Sequence, residues 1–251
     1  MSYRVRIVVP CYNEALRLDV AGLEAFLERA PEVAFTLVDD GSTDHTWRLL
    51  GELAGRSPGV ERLRLTRNAG KAEAVRRGVL HAIALGDAPL LGYWDADFST
   101  PLATILDMSD ELEAHPSLML LMASRVQLLG RSIERRPVRH YAGRVIATLA
   151  AATLGLRVYD TQCGAKLLRA GAEVAACFEA PFITRWMFDV ELIARIVRGR
   201  SQERAAERIR EYPLPVWRDV AGSKISTRAG LRALLDLARI RRHYYPVRSA
   251  S

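Results

Sequence analysis

The chain has 251 residues, 49% of them hydrophobic and 26% charged, so it can bury a core of its own and is too mixed in composition to be disordered or fibrous. Its formal net charge of +7 favours phosphate-bearing partners (nucleotides, nucleic acid or anionic lipid) without choosing among them. Its three cysteines, Cys11, Cys163 and Cys177, cannot all pair within one chain and show no C-x-x-C spacing, which argues for a reducing compartment and against a structural zinc site.

Met1-Ser2-Tyr3-Arg4 runs into an apolar strand without a secretory leader, which reads as a cytoplasmic protein. The longest nearly uncharged stretch, Val145 to Leu156, falls short of the roughly 20 residues a membrane span requires. Residues 4–9 are short, β-branched and stopped by Pro10, the pattern of a strand. Residues 14–30 carry Leu16, Val20, Leu23, Phe26 and Leu27 at helical spacing. A second strand over 34–38 ends in the turn Asp39-Asp40-Gly41-Ser42, and Thr43 or Asp44 can cap the helix carrying Trp47, Leu50 and Leu53. A strand over 61–65, a helix over 71–85 and a strand over 89–94 follow, the last ending at Asp95-Ala96-Asp97. Pro101 suits the first turn of a helix over 102–113, and 118–123 is a fifth strand. The second half reads as a polar loop over 125–139, an Ala-rich helix over 143–156, a strand or turn over 160–168, a helix over 185–197, a loop over 216–227 and a final helix over 229–244.

Strands alternating with helices predict an α/β fold with a mostly parallel sheet covered on both faces, whose ligands gather at the carboxyl ends of the strands. Pro10 to Glu14, Asp39 to Ser42 and Asp95 to Asp97 all fall there. Asp95 and Asp97, one residue apart at a strand end, can grip Mg²⁺ or Mn²⁺ while leaving coordination positions to diphosphate oxygens. A carboxylate at Asp39 or Asp40 can accept from a nucleobase N–H, and Lys71 after Asn68-Ala69-Gly70 can reach a phosphate or a base edge. Neither a Walker A loop nor a G-x-G-x-x-G turn is present. Arg125, Arg131, Arg135, Arg136 and Arg139 crowd one segment, an arrangement suited to an anionic acceptor or a donor diphosphate. Asp189 is a candidate base or acceptor-positioning carboxylate. Glu191, two residues on, cannot share its face, so one of the two faces solvent or a basic partner. The last helix sets Leu231, Leu234, Leu235 and Ala238 among Arg228, Arg232, Arg239, Arg241 and Arg242, suited to the inner face of the cytoplasmic membrane or to docking on the core. No RNA-binding aromatics recur at a recognisable spacing, so nucleic acid is a disfavoured partner.

Together these strings resemble the family 2 glycosyltransferases of GT-A fold: Val8-Val9-Pro10-Cys11-Tyr12-Asn13-Glu14, Val38-Asp39-Asp40-Gly41-Ser42-Thr43-Asp44, Arg67-Asn68-Ala69-Gly70-Lys71 and Asp95-Ala96-Asp97. Ser124-Arg125, Ile133-Glu134-Arg135-Arg136, Asp160-Thr161-Gln162-Cys163-Gly164-Ala165-Lys166-Leu167, Phe188-Asp189-Val190-Glu191-Leu192 and Gly222-Ser223-Lys224 resemble its branch of dolichyl- and other polyprenyl-phosphate hexosyltransferases. The resemblance implies a GT-A domain over 1–212, with a nucleotide-binding half to about 124 and an acceptor half from 125, followed by a loop and basic helix over 213–251. It implies that Pro10, Tyr12, Glu14, Asp39, Asp40, Lys71 and Asp95 bind the nucleotide. Asp95 and Asp97 would hold the metal, Asp97 more directly. Arg125, Arg135, Arg136, Arg139 and Gln162 would meet the acceptor phosphate, and Asp160, Gln162 and Asp189 the sugar. Asp97, Asp189 and Arg125 are then the catalytic set. The expected reaction is inverting transfer of a hexose, glucose first, from a UDP-sugar to a polyprenyl phosphate. The alternatives are a hydroxyl acceptor on a glycan or small molecule, or a GDP-mannose donor. The chain departs from the branch in lacking an N-terminal membrane helix, in Phe98-Ser99-Thr100 after the metal motif, and in Ala165 where a bulky aromatic is usual.

Overall fold

The computed structural model describes residues 2–134, 137–218 and 227–245, with the side chains of 134, 137–142 and 227–229 outside the description. Seven strands form the main sheet: β1 (Val5–Cys11), β2 (Val33–Asp39), β3 (Val60–Arg64), β4 (Leu90–Trp94), β5 (Leu120–Ser124), β7 (Ala165–Arg169) and β8 (Ile209–Pro213). They lie in the order β3-β2-β1-β4-β7-β5-β8. β7 runs antiparallel to β4 and β5, and the other neighbours are parallel. A small second sheet pairs β6 (Ser132–Glu134) with β9 (Val216–Arg218). The expected mostly parallel sheet is present, with its mixed character confined to one strand.

Period-two alternation divides the core between the two faces. From β1, Val5, Ile7, Val9 and Cys11 pack with α1 (Val20–Arg29), α2 (Thr46–Arg56) and α4 (Thr104–Ala114). Val8 points to the opposite face, with α3 (Lys71–Leu85), α5 (Pro137–Leu154), α6 (Ala172–Glu179), α7 (Phe188–Val197) and α9 (Thr227–Tyr244). A short helix, α8 (Gln202–Ala206), precedes β8. All three cysteines are free and buried, and burial raises each thiol's pKa, that of Cys177 to about 11.

Three departures from the sequence reading, and one ambiguity it left open, matter for the site. α1 begins at Val20 rather than at residue 14, because Asn13 takes φ 54° and Asp19 caps the helix by accepting from Gly22 N at 2.9 Å. Glu14 is thereby left on a loop at the sheet edge. α7 begins at Phe188, so residues 180–187 are non-helical. The stretch read as a polar loop over 125–139 contains β6 and the start of α5, whose first residue is Pro137, a natural N1 residue. The ambiguous stretch 160–168 resolves into a turn and then β7. Because β7 is antiparallel, its start pairs with the end of β4, Trp94 against Ala165. That register brings Asp160 to Gly164 to the edge where the parallel strands end.

Candidate active site

The ends of β1 and β2 are locked together by short polar bonds. Asp40 N donates to Cys11 O at 2.8 Å, Asn13 N to Ser42 Oγ at 3.0 Å, Thr43 N to Asn13 Oδ1 at 2.9 Å and Glu14 N to Thr46 Oγ1 at 2.8 Å. Neither expected residue is the N-cap of α2: that position is His45, with no side-chain cap bond, while Asp44 Oδ1, one residue earlier, accepts from Thr46 N at 2.9 Å. Asp40 engages both carboxylate oxygens with the next loop, accepting from Ala69 N at 2.7 Å and Gly70 N at 2.8 Å. Burial raises the Asp40 pKa, and those two amides pull against the rise. Gly41 has φ 66° and lies against the Arg67–Asn68 backbone, where any Cβ would clash. Asp39 accepts from Ser42 N at 2.9 Å through Oδ1, while its Oδ2 is buried without a hydrogen bond, 3.2 Å from Arg64 Nε. Of the two adjacent aspartates, Asp39 therefore has the spare acceptor and Asp40 organises the loop. Pro10 is half-buried beside them, and Tyr12 is exposed at the mouth.

Asp95 and Asp97 lie just past β4, both half-buried. Lys71 Nζ meets Asp95 Oδ1 at 2.5 Å, and Ser99 N donates to Asp97 Oδ1 at 3.0 Å. Burial depresses the Lys71 ammonium, but Asp95, Asp189 and Asp97 outweigh it, so its pKa is raised and the side chain stays charged. Glu14 shares this field: burial raises its pKa, Arg17 opposes, and Asp97, Asp44 and Asp95 add to the rise. Its Oε2 is buried with no hydrogen-bond partner. Asp95 N is fixed by Gly164 O at 3.0 Å, and a Cβ on Gly164 would occupy the space of the Asp95 carboxylate. Gly164→Ala is therefore expected to swing Asp95 aside and lower transfer activity about 100-fold, while far-UV circular dichroism stays native. Wild-type turnover in that variant would rule out a role for Asp95 in its present position.

No group of three His, Cys, Asp or Glu residues arranged to hold a metal occurs among the described residues. Asp95 and Asp97 offer hard oxygen donors only, a set that suits Mg²⁺ or Mn²⁺ if ligand oxygens complete the shell. Among the described residues, eight buried side-chain polar atoms lack a hydrogen-bond partner, and those of Glu14, Asp39, Ser124, Thr161 and Gln162 belong to this edge. Unsatisfied buried polar atoms are rare, and their concentration here is what a polar ligand site requires.

On the acceptor side, Arg125 forms a bidentate pair with Asp160, Nε to Oδ2 at 2.6 Å and Nη2 to Oδ1 at 2.9 Å. Its guanidinium also lies 5.2 Å from the Trp217 ring. Asp160 N is held in turn by Glu211 Oε1 at 2.8 Å, and Gln162 N donates to Asp160 Oδ1 at 3.2 Å. Arg131 is exposed on the loop before β6. Arg135 and Arg136 lie outside the described residues, as does the Gly222-Ser223-Lys224 string, and Arg139 falls on α5 where side chains are not described.

Asp189 is buried on α7, and its Oδ1 accepts from both Tyr93 OH and Lys166 Nζ at 2.6 Å. Lys166 is fully buried and also donates to Cys163 O at 2.7 Å. Glu191 does point away from Asp189 to a basic partner, Arg195 at 2.7 Å, but it is fully buried rather than facing solvent. Sequence reasoning missed Lys166, Tyr93 and Arg185. A lysine inside the apolar run Ala165-Lys166-Leu167-Leu168 was the available signal, since such a residue needs a buried counter-charge.

A mixed, mostly parallel sheet with carboxylates converging at the strand ends matches the GT-A fold. The chain belongs to glycosyl transferase family 2, whose family model, described as "Glycosyl transferase family 2", matches residues 6–173. It is 33% identical over 241 residues to the dolichyl-phosphate beta-glucosyltransferase of Mus musculus, covering 88% of this chain and 69% of that one. It is 28% identical over 260 residues to the Saccharomyces cerevisiae protein of the same name, covering 95% and 74%. Among solved structures it resembles glucosyl-3-phosphoglycerate synthase from Mycobacterium tuberculosis in complex with UDP, with TM-score 0.67, 16% identity and coverage of 95% and 80%. It also resembles mannosyl-3-phosphoglycerate synthase from Rubrobacter xylanophilus, with TM-score 0.69, 18% identity and coverage of 99% and 77%. The expected family and fold are therefore present.

Proposed function

We propose that the protein transfers glucose from UDP-glucose to a polyprenyl phosphate, with inversion at the anomeric carbon. The observation carrying this reading is the convergence of Asp39, Asp40, Lys71, Asp95 and Asp97 at one sheet edge, beside the Arg125–Asp160 pair. The mouse and yeast relatives named above support glucose as the transferred group and a polyprenyl phosphate as the acceptor. Asp39 Oδ2 accepts a base N–H, and Lys71 meets the diphosphate. Asp95 and Asp97 would hold Mg²⁺ or Mn²⁺, which when bound supplies countercharge to the leaving nucleoside diphosphate; a structural neighbour was solved with Mn²⁺ and UDP-glucose. A phosphate acceptor is ionised near neutral pH, so the protein needs to orient it rather than deprotonate it. Arg125, fixed by Asp160 and Trp217, is placed to face that anion, with Gln162 beside it. Asp189, held by Lys166 and Tyr93, orients the sugar.

The test is transfer of radiolabelled glucose from UDP-glucose, with Mn²⁺, to undecaprenyl phosphate, read as butanol-extractable label. GDP-mannose and a hydroxyl-bearing glycan serve as competing arms. Label appearing only with the glycan, or only with GDP-mannose, defeats this assignment.

No described helix is long and apolar enough to cross a membrane. The acceptor's tail nonetheless calls for a lipid surface, and α9 offers one. Its buried side, Ala233, Leu237 and Ile240, docks on the core, while Leu231, Leu234 and Leu235 are exposed among Arg232, Arg239, Arg241 and Arg242. The one acid of the helix, Asp236, is buried against Arg239. Val145 and Leu149 of α5, which packs beside α9, extend the apolar area. Replacing Leu231, Leu234 and Leu235 together by Ser is expected to weaken co-sedimentation with phosphatidylglycerol vesicles about tenfold or more. Equal pelleting of variant and wild type would remove α9 as the contact.

A further inference from the structure

The segment between α6 and α7, with the last turn of α6, is held by three side chains, Arg195, Arg76 and Glu191. Arg195 donates to Cys177 O at 2.8 Å, Ala180 O at 2.7 Å and Pro181 O at 2.7 Å. Arg76 of α3 donates to Phe178 O at 3.1 Å and Glu179 O at 2.9 Å. Glu191 of α7, fully buried, accepts from Ile183 N, Thr184 N and Thr184 Oγ1, each at 3.0 Å. Tyr244, near the end of α9, donates to Glu191 at 2.9 Å while accepting from Arg195 Nε at 3.0 Å. A buried carboxylate satisfied by this many donors fixes geometry, because removing any one donor leaves charge poorly compensated in a low-dielectric setting.

The residue these anchors deliver is Arg185. It is exposed, yet its Nη2 donates to Ala69 O at 2.6 Å. Ala69 and Gly70 are the two residues whose amides Asp40 holds, and Lys71 follows directly as the first residue of α3. Gly70, at φ 93°, lies close under the Arg185 guanidinium, within 3.5 Å of where a Cβ would stand. The donor loop is thus gripped from two sides: Asp40 by its N–H groups and Arg185 by its carbonyl. An exposed arginine ordinarily loses little by swinging free, since holding so long a side chain costs conformational entropy. Here the flanking Thr184 is pinned by Glu191 and Met187 is buried, so the backbone sets the reach of Arg185 before any ligand arrives.

We infer that Arg185 is a positioning residue for the donor loop, and that Glu191 with Tyr244 is the clamp that sets it, linking the docking of α9 to the placement of Lys71. The catalytic consequence rests on the proposed UDP-sugar donor; the structural consequence does not. Two measurements on the full chain keep these separate. In the ligand-free protein, Arg185→Ala is expected to speed amide hydrogen exchange at Ala69 and Gly70 about tenfold with Tm unchanged, because the side chain is exposed. In titrations with UDP and Mn²⁺, the same variant is expected to raise Kd about tenfold, and in the transfer assay to raise the donor KM with little loss of kcat. Arg185→Lys should recover part of both effects. Tyr244→Phe, which removes a single hydroxyl, should loosen the same two amides severalfold, and serves where Glu191→Gln fails to fold. Unchanged exchange at Ala69 and Gly70 in Arg185→Ala overturns the inference whether or not the wild type binds UDP. Unchanged UDP affinity in that variant, against a wild type that binds, overturns it as well. A wild type that ignores UDP defeats the donor assignment, and the exchange measurement still decides the clamp.

Discussion

Asp97→Asn is expected to lower kcat/KM for transfer by about 1000-fold while leaving the fold intact. The Asp97 side chain is half-buried, and the one hydrogen bond it makes among the described residues, from Ser99 N at 3.0 Å, can be kept by the amide oxygen of asparagine. Shape is conserved, so the loss isolates the negative charge. Fixed countercharge at a developing anion is worth about 3–4 kcal/mol, or two to three powers of ten in rate. Asp95→Asn tests the same site with a different side effect. Its Oδ1 pairs with Lys71 at 2.5 Å, and both side chains are more than a third exposed, so the pair itself adds little stability. The variant frees Lys71 and should raise the donor KM as well as lower kcat. Chelation with EDTA should reproduce the Asp97→Asn result on the wild type, and added Mn²⁺ should reverse it. If both asparagine variants turn over normally and EDTA has no effect, metal-assisted departure of the nucleotide is wrong for this chain.

The strand-end carboxylates were legible because each follows an apolar run that stops abruptly: Val33 to Val38 before Asp39, Leu90 to Trp94 before Asp95. Burial on both faces makes such strands continuous in hydrophobicity, so their ends stand out. What could not be read is how the side chains divide their work. Asp39 and Asp40 are equivalent as a string, yet β2 alternation sends one toward Ser42 and Arg64 and the other toward the Ala69–Gly70 amides. The antiparallel sense of β7 was equally hidden, since Ala165-Lys166-Leu167-Leu168 has no feature that marks direction. That sense is what carries Asp160 to Gly164 to the strand edge of Asp95 and Asp97. The start of α1 was misread because Leu16 extends the helical spacing, although it is fully exposed and the chain there forms a turn. Arg185 escaped notice for a related reason: residues 185–187 continue the α7 pattern, and only tertiary anchors such as Glu191 keep them out of the helix.

The largest loss of stability is expected from Lys166→Met. Methionine approximates the volume of the lysine stem, so packing against Tyr93 is largely kept and the change isolates the ammonium. In the native chain that ammonium has no exposed surface, meets Asp189 at 2.6 Å and caps Cys163 O at 2.7 Å. Removing it leaves Asp189, 5% exposed, with Tyr93 OH as a partner at 2.6 Å but without the cation it pairs with. Stranding one member of a buried pair costs about 3–5 kcal/mol, which at roughly 2–4 °C per kcal/mol for a chain of this size lowers Tm by about 10 °C. The double variant Lys166→Met with Asp189→Asn removes both charges and should regain much of that loss, since a neutral amide can still accept from Tyr93 OH. Turnover then separates structure from chemistry. A double variant that recovers Tm but not transfer activity makes Asp189 a group that acts on the sugar, with Lys166 present to hold it still. Recovery of both reduces the pair to a buried brace between β7 and α7, and the orienting role proposed for Asp189 falls with it.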